Sequence, residues 1–407
     1  MPTYYTRQMK FNSMLVSIIR VMTHILTLSF MIPAARILGP TTLGKVAVVV
    51  TLIPIFTDLI DFGGSTFVAR NVSSARFSQF EVQQYLNRKF AISFALFIPW
   101  SSIFFLMGVE SKKAFALSCC LVLFNILNLF NKSMEQIAIA TGNSKVAAAG
   151  LFIERMGWSS FAVFVFTGFK PLVAFSIATF IGYFLQAIFQ CVFIYCRLSR
   201  SSVKPENLEE FRVKSYYDIG IKTIISNLYL SNQIIVTILA GPAAGGIFSV
   251  AYRLRNLLVV GYSSVSWSIT QDLLRNNSRE NFKQSLFKNR LTLSLNTVGL
   301  FSLFFFSEEI VLSIFGLRYE QSIIVLQLLC ISQLLSVFQV FITTYLMCSY
   351  FERSLRKMVT LVVPFTLVCE GSGAMLDGAR GAAFGTLFST ALTAIVYIQK
   401  YKSLSRP

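Results

Sequence analysis

Residues Ala35–Arg70 run ARILGPTTLGKVAVVVTLIPIFTDLIDFGGSTFVAR, two apolar segments joined by a tight Gly39-Pro40 turn, with Asp58 and Asp61 set in the second segment. About half a chain later Gly241-Pro242-Ala243-Ala244-Gly245-Gly246 repeats the Gly-Pro-x-x-x-Gly spacing of Gly39-Pro40-Thr41-Thr42-Leu43-Gly44. A second pair supports the repeat. Leu106-Met107-Gly108 with Glu110, then Ser111 to Leu127, is echoed by Ile314-Phe315-Gly316 with Glu320, then Gln321 to Leu335. The chain therefore reads as two halves of similar design.

What surrounds the turns sets the class. Of 407 residues, 55% are hydrophobic and only 13% charged, more apolar surface than a soluble fold can bury. Apolar runs of about 18 residues or more recur, each long enough to cross about 30 Å of hydrocarbon. Twelve spans are expected: 12–35, 44–68, 90–109, 114–134, 146–168, 172–196, 217–240, 246–268, 291–307, 321–346, 354–370 and 379–399. The longest connections, around 197–216 and 269–290, leave no room for a soluble domain of any size. The first long segment passes directly into the second, which marks it as a span and not a signal peptide.

A net charge of +18 would suggest nucleic acid as the partner of a soluble protein. Here the basic residues gather in short loops between spans, so nucleic acid is excluded and the positive-inside rule accounts for the charge. Arg36, Lys45, Lys112, Lys113, Lys170, Arg318 and Arg380 fall on one side, against 24 Lys and Arg on the other, which places both termini in the cytoplasm. The polar linker at 201–216 separates an N-terminal six-helix lobe, 1–200, from a C-terminal one, 217–407. The seven cysteines have no metal-ligand spacing and are expected to act as small buried hydrophobes. No metal site and no cofactor are implied.

Charges inside spans are costly and tend to face a bundle interior or a wet cavity. Arg20, Arg155, Lys222, Arg253 and Arg255 qualify, with Asp58, Asp61, Glu154 and the sole histidine, His24. Their spacing is helical. Ser13, Ser17, Arg20, His24 and Thr27 form one stripe, and Thr51, Asp58, Asp61 and Ser65 a second. Lys222, Ser226, Tyr229 and Gln233 form a third, Ser249, Arg253 and Asn256 a fourth, and Asn125, Asn128, Lys132 and Glu135 add another face. The four helices flanking the two Gly-Pro turns thus each carry a polar face, which implies a central hydrophilic cavity between the lobes. The bland alternatives are snorkelling for Lys222 and Arg155, and structural pairing of Asp58 and Asp61 with Arg20 or a lysine. Glu154, set about 100° from Arg155, is expected to pair with another span. Arg253 and Arg255, two residues apart, cannot both face one cavity.

The run Ala35-Arg36-Ile37-Leu38-Gly39-Pro40-x-x-x-Gly44, then Asp61-Phe62-Gly63 and Ala69-Arg70, resembles the opening of the polysaccharide transporter family. This is the O-antigen flippase (Wzx-type) branch of the multidrug/oligosaccharidyl-lipid/polysaccharide (MOP) superfamily. Gly246-Ile247-Phe248-Ser249-Val250-Ala251-Tyr252-Arg253-Leu254 is similar to its seventh-to-eighth span signature, and Ile314-Phe315-Gly316 with Tyr319 and Gly378-Ala379-Arg380-Gly381-Ala382-Ala383 also fit. Members often carry an acid in the seventh span where this chain has Asn232. The resemblance implies an all-α integral membrane protein with a MATE-like fold, two six-helix lobes opening alternately to each face. It implies a flippase moving undecaprenyl pyrophosphate-linked O-antigen or other polysaccharide units to the periplasmic leaflet of the bacterial inner membrane. A polysaccharide polymerase and a chain-length regulator are its expected partners, besides membrane lipid.

Ionic head groups resist desolvation, and a guanidinium fork suits phosphate. Arg20 and Arg253, assisted by Arg255 or Lys222, are the expected pyrophosphate ligands. His24 lies in the same polar face, and Ser226, Tyr229 and Asn256 could meet the glycan. Asp58 and Asp61 are the candidates for ion coupling. The competing functions are a drug/cation antiporter of the same superfamily, which an arginine-rich lumen disfavours, and a membrane enzyme of polysaccharide assembly. An enzyme lacks support because no outward loop is large, and His24 has no partnered serine or cysteine in a recognisable motif.

Overall fold

A computed structural model describes residues 2–65, 79–106, 111–140, 143–166, 168, 171–193, 220, 231–275, 278–348 and 352–404. The linker expected at 201–216 and most of the seventh span lie outside these residues. Within them, eleven of the twelve expected spans fall largely on helix and the seventh is helical over its described end, Asn232–Ala240; no strand occurs among the described residues.

The first element, α1 (Pro2–Asp61), folds back on itself at Gly39, whose φ of 68° and ψ of 171° lie outside the helical region. Gly241 repeats the conformation at φ 89° and ψ 164°, between α8 (Asn232–Ala240) and α9 (Pro242–Arg275). A positive φ costs glycine little, and the proline that follows suits the first helical position, where its missing N–H has no partner to lose. The Gly-Pro repeat is thus one turn used twice. The chain continues through α2 (Gln79–Ser93), α3 (Phe97–Leu106), α4 (Ser111–Ala140), α5 (Ser144–Ser159), α6 (Phe161–Phe166) and α7 (Pro171–Phe193). Beyond α9 come α10 (Arg279–Lys288), α11 (Arg290–Phe305), α12 (Ser307–Phe315), α13 (Ser322–Cys348) and α14 (Glu352–Leu404), the last folded at Asp377 and Gly378.

Residues 269–290, expected as a connection, are largely helical. The eighth span runs on to Arg275, and α10 starts at Ser278, whose Oγ accepts the Asn281 N–H at 3.1 Å. Glu280 in its first turn and Lys288 in its last complement the helix dipole. Its charged and polar residues hide it from a search for apolar runs.

Two compact units result, Met1–Thr27 with Val50–Asn227, and Leu28–Val49 with Leu228–Pro407. In the first, Leu86, Met134, Ile137, Ala138 and Ala147 form a core joining α2, α4 and α5, and the fully buried Trp100 meets Phe56 edge-on at 4.9 Å. In the second, α13 packs on α9 and on the α14 hairpin. The second unit also holds the first Gly-Pro turn against the second. A Cβ on Gly44 would overlap the Pro242 carbonyl oxygen, and one on Gly246 the Pro40 carbonyl oxygen. The glycine four residues after each proline therefore serves a reciprocal backbone contact between the two copies. Around it, Arg36 donates from Nε to Ile314 O at 2.7 Å and from Nη2 to Ser313 O at 2.5 Å, filling end carbonyls of α12. Tyr319 donates to Ala35 O at 2.9 Å; burial pushes its phenol up to about 12 against the opposing pull of Arg318, so it stays a donor at neutral pH.

Of the cysteines, Cys330 is buried as expected, whereas Cys119 and Cys120 lie exposed on α4, whose outward face is apolar.

Candidate functional site

The second leg of α1 meets α4 through a buried polar seam in the first unit. Thr57 Oγ1 donates to Asn125 Oδ1 at 3.0 Å and accepts from Asn128 Nδ2 at 3.1 Å. One turn along, Asp58 pairs with Lys132. A lysine is one of the two structural partners open to Asp58, and Lys132 fills that role. Asp61 sits differently. The helix ends there, Phe62 and Gly63 adopt φ of 48° and 72°, and the Asp61 carboxylate accepts the Ser65 N–H at 3.0 Å, the Ser65 hydroxyl at 2.7 Å and the Tyr85 hydroxyl. Lys89 Nζ completes the corner by donating to the Ile60 and Asp61 carbonyls at 2.7 and 3.0 Å. Asp61 is therefore a capping carboxylate at the Phe62-Gly63 turn that ends α1, which explains the Asp61-Phe62-Gly63 motif. Asp58 and Asp61 both lie within α1, which ends at Asp61, and their carboxylates take different partners.

Also in the first unit, Glu154 takes a closer partner than expected. Arg155 folds back so that its Nη1 lies 3.3 Å from Glu154 Oε1, with its guanidinium 3.9 Å above the Trp158 ring. The reach of an arginine side chain outweighs the angular separation of neighbouring Cβ atoms, and the indole face holds it there.

The second unit contains the other candidates. Arg253, half-buried on α9, donates from Nε to Ser249 Oγ at 3.3 Å, as their shared face predicts. Asn256, expected on that face too, serves Arg255 instead. Arg255 Nη2 and Nε donate to Asn256 Oδ1 at 2.7 and 3.3 Å, and the guanidinium lies 4.4 Å from the Tyr252 ring centre. Arg255 is only 7% exposed, the more deeply buried of the two arginines. Arg20 and His24 lie on α1, but their side chains are outside the described residues, as are Lys222, Ser226 and Tyr229 altogether.

Sequence reasoning passed over Glu370. It is fully buried on α14, where Oε1 accepts from Asn232 Nδ2 at 2.9 Å and from Thr386 Oγ1 at 2.8 Å. The acid absent from the Asn232 position is thus supplied by another helix to the same place. A stripe of Thr386, Ser389, Thr390 and Thr393 extends this polarity, bonded to α13 through Ser332 at 3.0 Å and Gln339 at 2.6 Å. Its 3–4 spacing was the readable signal. The expected eleventh span stops at Glu370, whereas the helix continues to the Asp377 fold, so this carboxylate lies inside it.

Residues 10–268 match the family described as polysaccharide biosynthesis protein. No curated protein matches the chain. Among solved structures, a MATE protein in complex with MaL6 is similar at TM-score 0.72 and 16% identity, covering 97% of this chain and 95% of that one. An inward-facing multidrug resistance MATE family transporter of the MOP superfamily reaches 0.71 at 13% identity over 94% of each chain. An outward-facing one reaches 0.69 at 15% identity over 97% and 94%.

Proposed function

This chain belongs to the polysaccharide biosynthesis protein family and has the MOP transporter fold, and on that basis we propose that it is a flippase for undecaprenyl pyrophosphate-linked oligosaccharide, working by alternating access. It is a multi-pass membrane protein. We assign it to the bacterial inner membrane with both termini cytoplasmic, following the distribution of its Lys and Arg. The observation that carries the reading is a guanidinium buried in a membrane-spanning helix and bonded only to a neutral amide, Arg255 on Asn256.

Moving a pyrophosphate through hydrocarbon without compensation costs many kcal/mol. Arginine replaces part of the lost hydration through charge-assisted, forked hydrogen bonds while the polyprenyl chain stays in lipid. Arg255 takes the place of Arg253 as the α9 phosphate ligand in this reading, with Arg20 and Lys222 joining it. His24, Ser226, Tyr229 and Asn256 are the candidates for head-group contact, and the Asp58–Lys132 pair is the candidate coupling element. A polymerase and a chain-length regulator would consume the product on the outer leaflet.

The test is deletion of the gene, with lipid-linked sugars assayed on each leaflet by a membrane-impermeant probe. Accumulation of a lipid-linked oligosaccharide on the cytoplasmic leaflet, with surface polymer lost and not restored by an Arg255→Ala, Arg253→Ala variant expressed at normal level, supports the proposal. Persistence of surface polymer together with new sensitivity to cationic drugs would replace it with cation export.

A further inference from the structure

Basic residues cluster on and around α10, and the helix is built to present them. Its inner face is fixed to the ends of three longer helices. Phe282, 5% exposed, sets its ring 5.1 Å from that of Tyr345 on α13 and 6.2 Å from that of Tyr401 on α14. Ser285 is buried on the same side, and Asn289 donates from Nδ2 to Ser268 Oγ on α9 at 3.3 Å. Phe282, Ser285 and Asn289 follow three- and four-residue steps, so one side of α10 is committed to the fold and the opposite side faces the surroundings.

That opposite side has a pattern that water does not explain. Lys283, Phe287 and Leu291 succeed one another at four-residue steps, and all three are exposed. The helical ladder carries on through the joint with α11: the Asn289 N–H donates to Ser285 O at 3.2 Å and the Leu293 N–H to Asn289 O at 3.1 Å. The face of α10 therefore runs straight into the apolar stripe of α11, with Phe287, Leu291, Leu295 and Val298 between 61% and 71% exposed. Arg290 folds back over Phe287, its guanidinium 4.3 Å from the ring centre. The apolar stripe ends at Phe287, and the cations begin there. This order matches the boundary between hydrocarbon and head groups, where an aromatic ring anchors and long basic side chains reach for phosphate. Glu280 is the one exposed acid among the described residues of α10, seven residues from Phe287 and so about 10 Å along the axis.

We propose that α10 is a docking face for anionic phospholipid: Lys283 and Arg290 take the phosphodiester on one flank of Phe287, Lys288 adds charge on the other, and Phe287 sits at the hydrocarbon edge. A lipid of net negative charge is favoured over a zwitterionic one because the face carries no acid beside Phe287 to meet an ammonium. The distribution of Lys and Arg assigns this end to the cytoplasm, so the lipid comes from the inner leaflet; only that choice of leaflet rests on the proposed topology. Because α10 is tied to α9, α13 and α14 at once, a bound head group fixes three spans at their shared end and acts as a stabilising ligand.

The test is head-group preference. Delipidated full-length protein in neutral detergent would be given equal amounts of dioleoyl phosphatidylglycerol and dioleoyl phosphatidylcholine. Bound lipid would be counted by native mass spectrometry, with thermal melting followed in parallel. Native protein should prefer phosphatidylglycerol by about tenfold or more and melt higher with it, both effects shrinking as salt is raised. Lys283→Gln and Arg290→Gln should each lower the preference about fivefold. Lys283→Arg should keep it, and Lys357→Gln, which removes an exposed cation from α14, should change it little. Phe287→Ser should weaken retention of both lipids alike. Equal retention of the two lipids by native protein would overturn the proposal. So would an equal loss from Lys357→Gln and Lys283→Gln, which would reduce the site to the diffuse attraction of any basic surface. Either result leaves the flippase reading standing, since that reading is tested by export and by Arg255.

Discussion

Asp58 and Asp61, three residues apart in one apolar run, have different tasks, and each supports its own prediction. Asp58 answers Lys132, so Asp58→Asn removes the carboxylate with which this lysine pairs in a largely apolar setting. The loss is expected at about 2–3 kcal/mol, below the figure for a fully buried pair because the Lys132 side chain keeps 28% exposure. Lys132→Met added to Asp58→Asn should recover part of it, and thermal melting in detergent would show this; a double variant no better than Asp58→Asn contradicts the pairing. Asp61→Ala removes the acceptor of the Ser65 N–H and of two hydroxyls, with an expected cost of about 1–3 kcal/mol. Export per folded molecule should be unchanged by Asp61→Ala, and a selective loss of export at normal folded level would make Asp61 a coupling residue after all. The charged positions of both halves were readable from composition alone, since an ionised group in an apolar run stands out. Their partners were not. Arg255 finds Asn256, Arg155 finds Glu154 and Asp61 finds Tyr85 because of side-chain reach and a local turn, which periodicity along one helix does not encode.

Among the elements, the Gly-Pro turns were legible because glycine and proline break a helix for backbone reasons visible in any context. What the spacing could not reveal is why the fourth residue after each proline is also glycine. Gly44 and Gly246 answer that by meeting the carbonyls of Pro242 and Pro40. Gly44→Ala should therefore force two backbones apart and sharply lower the yield of folded protein, and Gly246→Ala should do the same. Gly371→Ala is the contrast. On α14 a Cβ there meets only side-chain atoms of Leu239 and Ile235, the nearer at 3.3 Å, so the gain in helix propensity, about 1 kcal/mol, should leave stability unchanged or slightly raised. Expression and melting of the three variants check this, and a tolerated Gly44→Ala would remove the reciprocal contact as the reason for the motif. The least legible element was α10. Its Ser278 cap and Glu280 are ordinary helix-start signals, but they follow a membrane span whose end had been placed too early.

For the molecule as a whole, the charge asymmetry of the loops and the exposure of large apolar side chains point to one arrangement in a membrane. Along α11, Leu291, Leu295, Val298, Phe301 and Phe305 are exposed at three- and four-residue steps, a stripe that water would penalise and lipid would accept. Among the described residues, four continuous helical stretches are long and apolar enough for a span, Ile25–Asp61, Val173–Phe193, Ser322–Leu346 and Lys357–Tyr401; the first and last are folded at Gly39 and Gly378 and so hold two passes each. In the proposed topology alternate loops fall on opposite sides, with the two longest basic connections on the side assigned to both termini. The prediction needs positions that are exposed and lie at opposite ends of a span. Ala243, beside the Gly241-Pro242 turn, and Lys283 on α10 meet both conditions, with α9 running between them. In a cysteine-free background, Ala243→Cys should react with a membrane-impermeant maleimide applied to cells whose outer membrane has been permeabilised, and Lys283→Cys should react only after the inner membrane is opened. The reverse pattern would turn the chain over and place the 24 basic residues outside, against the energetics of insertion. Equal labelling of both positions in sealed cells would mean that α9 does not cross the bilayer, and the two-lobed arrangement would have to be rebuilt from that helix outward.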